Sequence, residues 1–209
     1  MQTLITLPGD ARALLVLAHG AGAGMRHPFL EAFAQALAAR GIGTLRYEFA
    51  YMEARKHRVD TPAVATARVR EAVAEAARAA PGLPLFAGGK SFGGRMTSTA
   101  QAAEPLAGVR GLVFLGFPLH PPGKPGTGRA AHLAGARVPM LFLQGTRDEF
   151  AERGLLEPVV RSLDAHATLR WVEEGDHSFK APKRAGLSAE GIMALLADIT
   201  TDWITNLLR

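Results

Sequence analysis

The residues Gly89-Lys90-Ser91-Phe92-Gly93 place a serine between two glycines, each two positions away, in the pattern G-x-S-x-G. Where a strand precedes such a pentapeptide and a helix follows, the serine sits on a sharp, strained turn with its hydroxyl exposed. The flanking glycines avoid clashes with the neighbouring strand and helix. The N–H of Phe92, at the helix start, then faces any oxyanion that forms there. The plain alternative is a glycine-rich turn whose serine caps a helix. A phosphate-binding loop is excluded: G-x-x-x-x-G-K-S needs glycine at position 84, which is Pro84, and Leu85 to Ala87 reads as strand.

A serine hydroxyl needs a base, and the base needs a carboxylate to orient it. Seven histidines are available. His166 and His132 are expected at the surface, His57 in a basic cluster, and His27 in solvent ahead of a helix. His19 ends a strand beside glycines and is expected to structure that loop by hydrogen bonding. His120 follows a strand but precedes the candidate acid. His177, in Gly175-Asp176-His177-Ser178-Phe179, lies between the last strand and the last helix and is the expected base. For the acid, Asp148 follows the strand Pro139 to Leu143, with Glu149 as fallback; Asp164 falls inside a helix and Asp176 is too near His177. The order Ser91, Asp148, His177, each after its own strand, is stronger evidence than any one motif. The second oxyanion donor is expected from His19-Gly20-Ala21-Gly22, as the N–H of Ala21 with Gly22 second, since small residues admit main chain close to a substrate. Gly22, Lys90 and His120 are expected to face the substrate. No metal ligand set and no cofactor are expected.

The elements that must position these side chains are short apolar runs alternating with alanine-rich segments of helical period. Strands are expected at Leu4–Leu7, Ala13–Ala18, Gly43–Tyr47, Leu85–Ala87, Val109–Gly116, Pro139–Leu143 and Thr168–Val172. Helices are expected from Pro28 to Arg40, from Thr61-Pro62 to about Ala80, from the Ser91 turn to about Ala103, near Ala130–Leu133, near Leu156–Ala165, and from a Ser188 cap to about Leu207. Polar loops fill Glu48–Asp60, Phe117–Gly128 and Glu173–Gly186. Strands apolar throughout and separated by helices imply an α/β fold, a doubly wound, mostly parallel sheet covered on both faces. Loops leaving the carboxyl ends of such strands share one rim, where ligands bind. All three candidate residues fall on that rim.

Composition narrows the function classes. At 209 residues with 48% apolar and 21% charged residues, the chain is expected to be one globular domain with a sizeable core. With no cysteine, disulfides, thiolate zinc sites, iron–sulfur clusters and a cysteine nucleophile are excluded. The apolar run Ala13–Ala18 is far short of the roughly 20 residues of a membrane span and lacks the flanks of a signal peptide, so a cytoplasmic location without membrane contact is expected. A net charge of +5 raises nucleic acid as a partner, but the basic residues are mostly scattered and only 7% of residues are aromatic, so none is expected. The basic rim residues Arg26, Arg55, Lys56, Arg58, Lys90, Lys124, Arg147 and Lys180 instead suggest attraction of an anionic small-molecule substrate.

The phrases HGAGAG, GGKSFGGRM, GFPLHPPGKP, LQGTRDEF and GDHSF resemble the α/β-hydrolase superfamily. More narrowly, they resemble its small lidless dienelactone-hydrolase-like branch, and within it a family that includes a testis-expressed hydrolase-like protein and a chromatin-complex subunit. The resemblance runs from about Leu14 to Leu208. It implies an eight-stranded type of sheet or a reduced version of it, no cap domain, a Ser91/Asp148/His177 triad and no cofactor. Serine replaces the cysteine nucleophile of dienelactone hydrolases proper, so their lactone substrate does not carry over. The expected activity is cleavage of a small ester or thioester through an acyl-enzyme, in an open, shallow site unsuited to long-chain lipids that need an enclosed tunnel. The alternative is a hydrolase-fold interaction protein with an idle triad.

Overall fold

The computed structural model describes residues 1–209. Seven strands make one sheet: β1 (Thr3–Thr6), β2 (Ala13–Ala18), β3 (Ile42–Tyr47), β4 (Leu85–Lys90), β5 (Val109–Leu115), β6 (Met140–Gly145) and β7 (Ala167–Val172), in the spatial order β1-β3-β2-β4-β5-β6-β7. All pairings are parallel except β1 with β3, which is antiparallel at the edge. Every residue of β2, β3 and β6 is buried, the polar Thr44, Arg46 and Gln144 included, as expected of strands covered on both faces.

Six helices supply the cover: α1 (Pro28–Ala38), α2 (Ala50–Glu53), α3 (Pro62–Ala79), α4 (Phe92–Ala103), α5 (Arg153–Ser162) and α6 (Ala189–Leu207). One face packs Val69 and Val73 of α3, Met96 of α4 and Leu156 of α5. The other packs Leu30, Phe33 and Leu37 of α1 against Leu196 and Ile204 of α6. Phe33 and Leu37 fall four residues apart on one helical stripe and are fully buried; each such burial contributes about 1.5–3 kcal/mol. Ser188 caps α6 through its hydroxyl, which accepts from Gly191 N–H at 3.0 Å.

Several boundaries differ from the sequence expectation, each for a local reason. Strand β4 runs on through Gly88, Gly89 and Lys90, because Gly88 and Gly89 pair with Leu17 and Ala18 on one side and with Val113 and Phe114 on the other. Their lack of side chains permits close pairing; it does not mark a loop. Helix α5 starts at Arg153, three residues before the expected Leu156, because Arg153 and Gly154 are exposed and extend no apolar stripe, Arg153 pairing with Glu157 instead. It stops at Ser162, and Asp164 then turns with φ 53°. The expected loop Glu48–Asp60 contains the short α2, anchored by the buried Tyr51. In place of a helix near Ala130–Leu133 there are two single 3₁₀ turns, Gly128–Ala130 and Leu133–Gly135. No helix is long and apolar enough to cross a membrane.

β3 lies on one side of β2 and β4 on the other. The chain therefore reverses its winding direction between β2 and β4, and the crevice beyond their carboxyl ends is where such sheets bind ligands. The loop 19–27 leaves β2 there, and Ser91 leaves β4.

Candidate active site

Ser91 is the single residue between β4 and α4. Its backbone, at φ 49° and ψ −115°, lies in a region that side chains rarely adopt and that costs of order 1–3 kcal/mol. Glycine at 93 is required by the same turn: a Cβ there would stand 2.5 Å from the His19 carbonyl oxygen and 2.7 Å from the Ala18 Cβ. The Ser91 hydroxyl makes no capping bond to α4. It lies 2.8 Å from His177 Nε2 instead. The helix-capping alternative is thereby removed.

His177 Nδ1 lies 2.7 Å from Asp148 Oδ2. An ionised carboxylate can only accept, so Nδ1 carries the hydrogen and Nε2 is left to accept from Ser91. Asp148 is buried and held by two further donors: Gln144 Nε2 donates to its Oδ2 at 2.6 Å, and the Phe150 N–H to its Oδ1 at 2.8 Å. Gln144 is itself oriented by the Phe117 N–H, which its Oε1 accepts at 2.8 Å. The Phe150 ring stacks on the imidazole with centroids 4.1 Å apart. Asp176 shapes the turn that carries His177, its Oδ1 accepting the N–H groups of Ser178 (2.7 Å) and Lys180 (2.9 Å).

The other expected site residues divide. The N–H groups of Ala21 and Phe92 have no hydrogen-bond partner within the protein, and Gly20 next to Ala21 faces Ser91, a Cβ on it coming within 3.7 Å of the Ser91 Cβ. Gly22 is a correction: its N–H donates to the Tyr51 hydroxyl at 3.3 Å, and it lies outside the cavity beside Ser91. His120 is a second correction. It is buried, with Nδ1 at 3.0 Å from the Pro121 carbonyl and its main-chain N–H on the Phe150 carbonyl, and it stays outside the cavity as well. Lys90 lines the cavity, and its ammonium donates to the His177 carbonyl oxygen and lies 5.2 Å from the Phe179 ring centroid. Burial lowers its pKa from 10.5 to about 8.

His19 structures its loop as expected. Nδ1 donates to the Gly20 carbonyl at 2.8 Å, and Nε2 accepts the Phe49 N–H at 3.1 Å. Burial lowers its pKa to about 4, so the imidazole is neutral and the nearby Glu48 carboxyl, 3.2 Å from Nε2, is no ion-pair partner. His132 is not a surface residue: it is half-buried, with Nε2 2.7 Å from Ser98 Oγ. No three His, Asp or Glu side chains are grouped to hold a metal ion.

Ser91 and His177 open into a cavity of about 1160 Å³ that is half open to solvent. It needs no cap. Its walls are the outer stripe of α1 and the segment leading into α6, and the small side chains of Ala32 and Ala36 leave the space.

The architecture and this rim define a class of protein, and the comparisons agree with it. The chain belongs to the alpha/beta hydrolase domain family, whose model matches residues 11–205. Among solved structures it is similar to a dienelactone hydrolase from Anabaena variabilis ATCC 29413, with 19% identity over 98% of this chain and 90% of that one and a TM-score of 0.77. It is similar to an alpha-beta serine hydrolase homologue from Coxiella burnetii at 18% identity, 96% and 89% coverage and a TM-score of 0.75. A serine hydrolase without lid from Xanthomonas campestris matches at 22% identity, 94% and 88% coverage and a TM-score of 0.69. At these identities the likeness is one of fold: seven strands, mostly parallel, without a cap domain.

Proposed function

We propose that this protein is a serine hydrolase that cleaves a small ester or thioester through an acyl-enzyme, with Ser91 as nucleophile, His177 as general base and acid, and Asp148 as the orienting carboxylate. One observation carries the proposal: an unbroken relay from Ser91 Oγ to His177 Nε2 at 2.8 Å and from His177 Nδ1 to Asp148 Oδ2 at 2.7 Å. His177 takes the Ser91 proton as Oγ forms a bond to the substrate carbonyl carbon. The negative charge moves to the carbonyl oxygen, where the N–H groups of Ala21 and Phe92 are free to receive it; one such donor is typically worth about 10²–10³ in turnover. His177 then returns the proton to the departing alcohol or thiol. Water, deprotonated by the same imidazole, attacks the acyl-enzyme and frees Ser91. Throughout, Asp148 keeps the tautomer and stabilises the charged imidazole.

Labelling with a fluorophosphonate, followed by a panel of small aryl esters, tests this. Wild-type protein is expected to label and to turn over the esters, and Ser91→Ala to do neither. Equal signals from the two proteins would refute the assignment and favour an interaction protein with an idle triad.

A further inference from the structure

The cavity beside Ser91 is long and apolar rather than compact. It starts at Gly20, Ala21, Ser91 and His177 and follows one stripe of α1, through Phe29, Ala32 and Ala36, to Arg40 just beyond its end. Spacings of three, four and four keep these residues on one side of the helix. At 1.5 Å per residue, Phe29 to Arg40 covers about 16 Å. Ile192 and Met193 of α6 close the facing wall, and Phe179, stacked on Phe29 with centroids 5.8 Å apart, lines the end nearest Ser91.

We propose that this channel holds the acyl chain of the substrate, a straight hydrocarbon of about a dozen carbons, matched to its length. This rests on the hydrolase function proposed above and extends its substrate from small esters to esters and thioesters of medium-chain acids. Three features select that occupant. The small side chains of Ala32 and Ala36 leave room for a chain to lie along α1. The acyl group stays bonded to Ser91 through both steps, so a channel starting at Ser91 can hold it throughout, whereas the leaving group must depart past His177 into water. At the far end, the Arg40 guanidinium is already paired with Asp198 at 2.6 Å and with the Ala36 carbonyl at 2.9 Å. No free cation waits there for a second carboxylate, so the chain ends in a methyl group.

The test measures kcat/KM of the full chain on p-nitrophenyl esters from acetate to hexadecanoate. Burial against a half-open wall is expected to raise kcat/KM about twofold per methylene, levelling near twelve carbons. Ala36→Trp should lower the dodecanoate-to-acetate ratio at least tenfold. Ala32→Trp, one turn nearer Ser91, should move the plateau to still shorter chains, which gives a second readout if either variant folds poorly. In Ser91→Ala, calorimetry should detect dodecanoate binding and no butyrate binding. A flat chain-length profile in protein that labels with fluorophosphonate and cleaves acetate overturns the acyl channel alone. So does a profile unchanged by both tryptophans, or one that follows the alcohol chain instead. Absence of labelling and of all ester cleavage overturns the hydrolase function, and the acyl channel with it.

Discussion

Replacing Lys90 by methionine keeps the apolar stem and removes an ammonium that burial penalises. The charge is held to a pKa of about 8 from an ordinary 10.5, a difference on the order of 3 kcal/mol. Residual contact with water reduces the recoverable part to about 1–2 kcal/mol. Below pH 8 both the folded and the unfolded chain carry this proton, and the penalty is present in full. Between about 8 and 10.5 the unfolded chain still holds the proton that the folded one has shed, so stability gains with rising pH. Urea unfolding of wild type and Lys90→Met at pH 7, 8, 9 and 10, followed by the emission of Trp171 and Trp203, isolates the effect, since other titrations cancel in the difference. Whatever the offset at pH 7, where methionine also forgoes the bond to the His177 carbonyl, the stability of the methionine variant relative to wild type should fall by about 1–2 kcal/mol as the pH rises from 7 to 10. Activity should move the other way. Lys90 is the tie on the His177 carbonyl, and a charged hydrogen bond is worth about 1.5–3 kcal/mol, so kcat should fall roughly tenfold as the imidazole loses its fixed position. A pH-independent difference would refute the burial argument, and an unchanged kcat would refute the positioning one.

Other substitutions test separate contacts. Asp148→Ala should lower kcat on the order of 10⁴-fold. Asp148→Asn should lose about tenfold less, because Gln144 Nε2 and His177 Nδ1 both donate at the Oδ2 position and select the rotamer with the amide oxygen there; ester kinetics on both variants compare them. Gly93→Ala forces a methyl against the His19 carbonyl and should destabilise by several kcal/mol or prevent folding, whereas Gly154→Ala, on α5 with nothing within 4 Å, should stabilise by about 0.5–1 kcal/mol in thermal unfolding. Acidification from pH 6.5 towards 4 should reduce stability through His19, whose folded pKa of about 4 leaves the unfolded chain holding more protons across that window; a His19→Gln variant should show a shallower decline in the same melts.

What the sequence made legible were the groups that follow apolar strands. Ser91 and Asp148 sit just past buried strands and His177 follows the half-buried edge strand β7, so topology alone brings them to one rim. Contacts made between distant segments were not legible. Gln144 falls just beyond the expected strand end at Leu143 but lies inside β6, and its bracing of Asp148, four residues on, depends on that extension. The Phe150 ring over the imidazole and the Tyr51 hydroxyl on Gly22 depend on how two loops meet across the rim. His120 was misplaced for the same reason: the loop after β5 folds inward onto the 150–152 segment, away from the cavity. The channel needed both helices at once. The alanines of α1 are visible in the sequence, but not that α6 would stand beside them.

The two free N–H groups nearest Ser91 belong to Ala21, in the loop that leaves β2, and to Phe92, at the start of α4 behind β4, two strands that lie side by side in the sheet. Neither residue is on the stripe of α1 that lines the cavity. Descendants of this chain could rewrite residues 32, 36 or 193 and so reshape the cavity while Ala21 and Phe92 stayed in place, so that what fits beside Ser91 can drift independently of the groups around it.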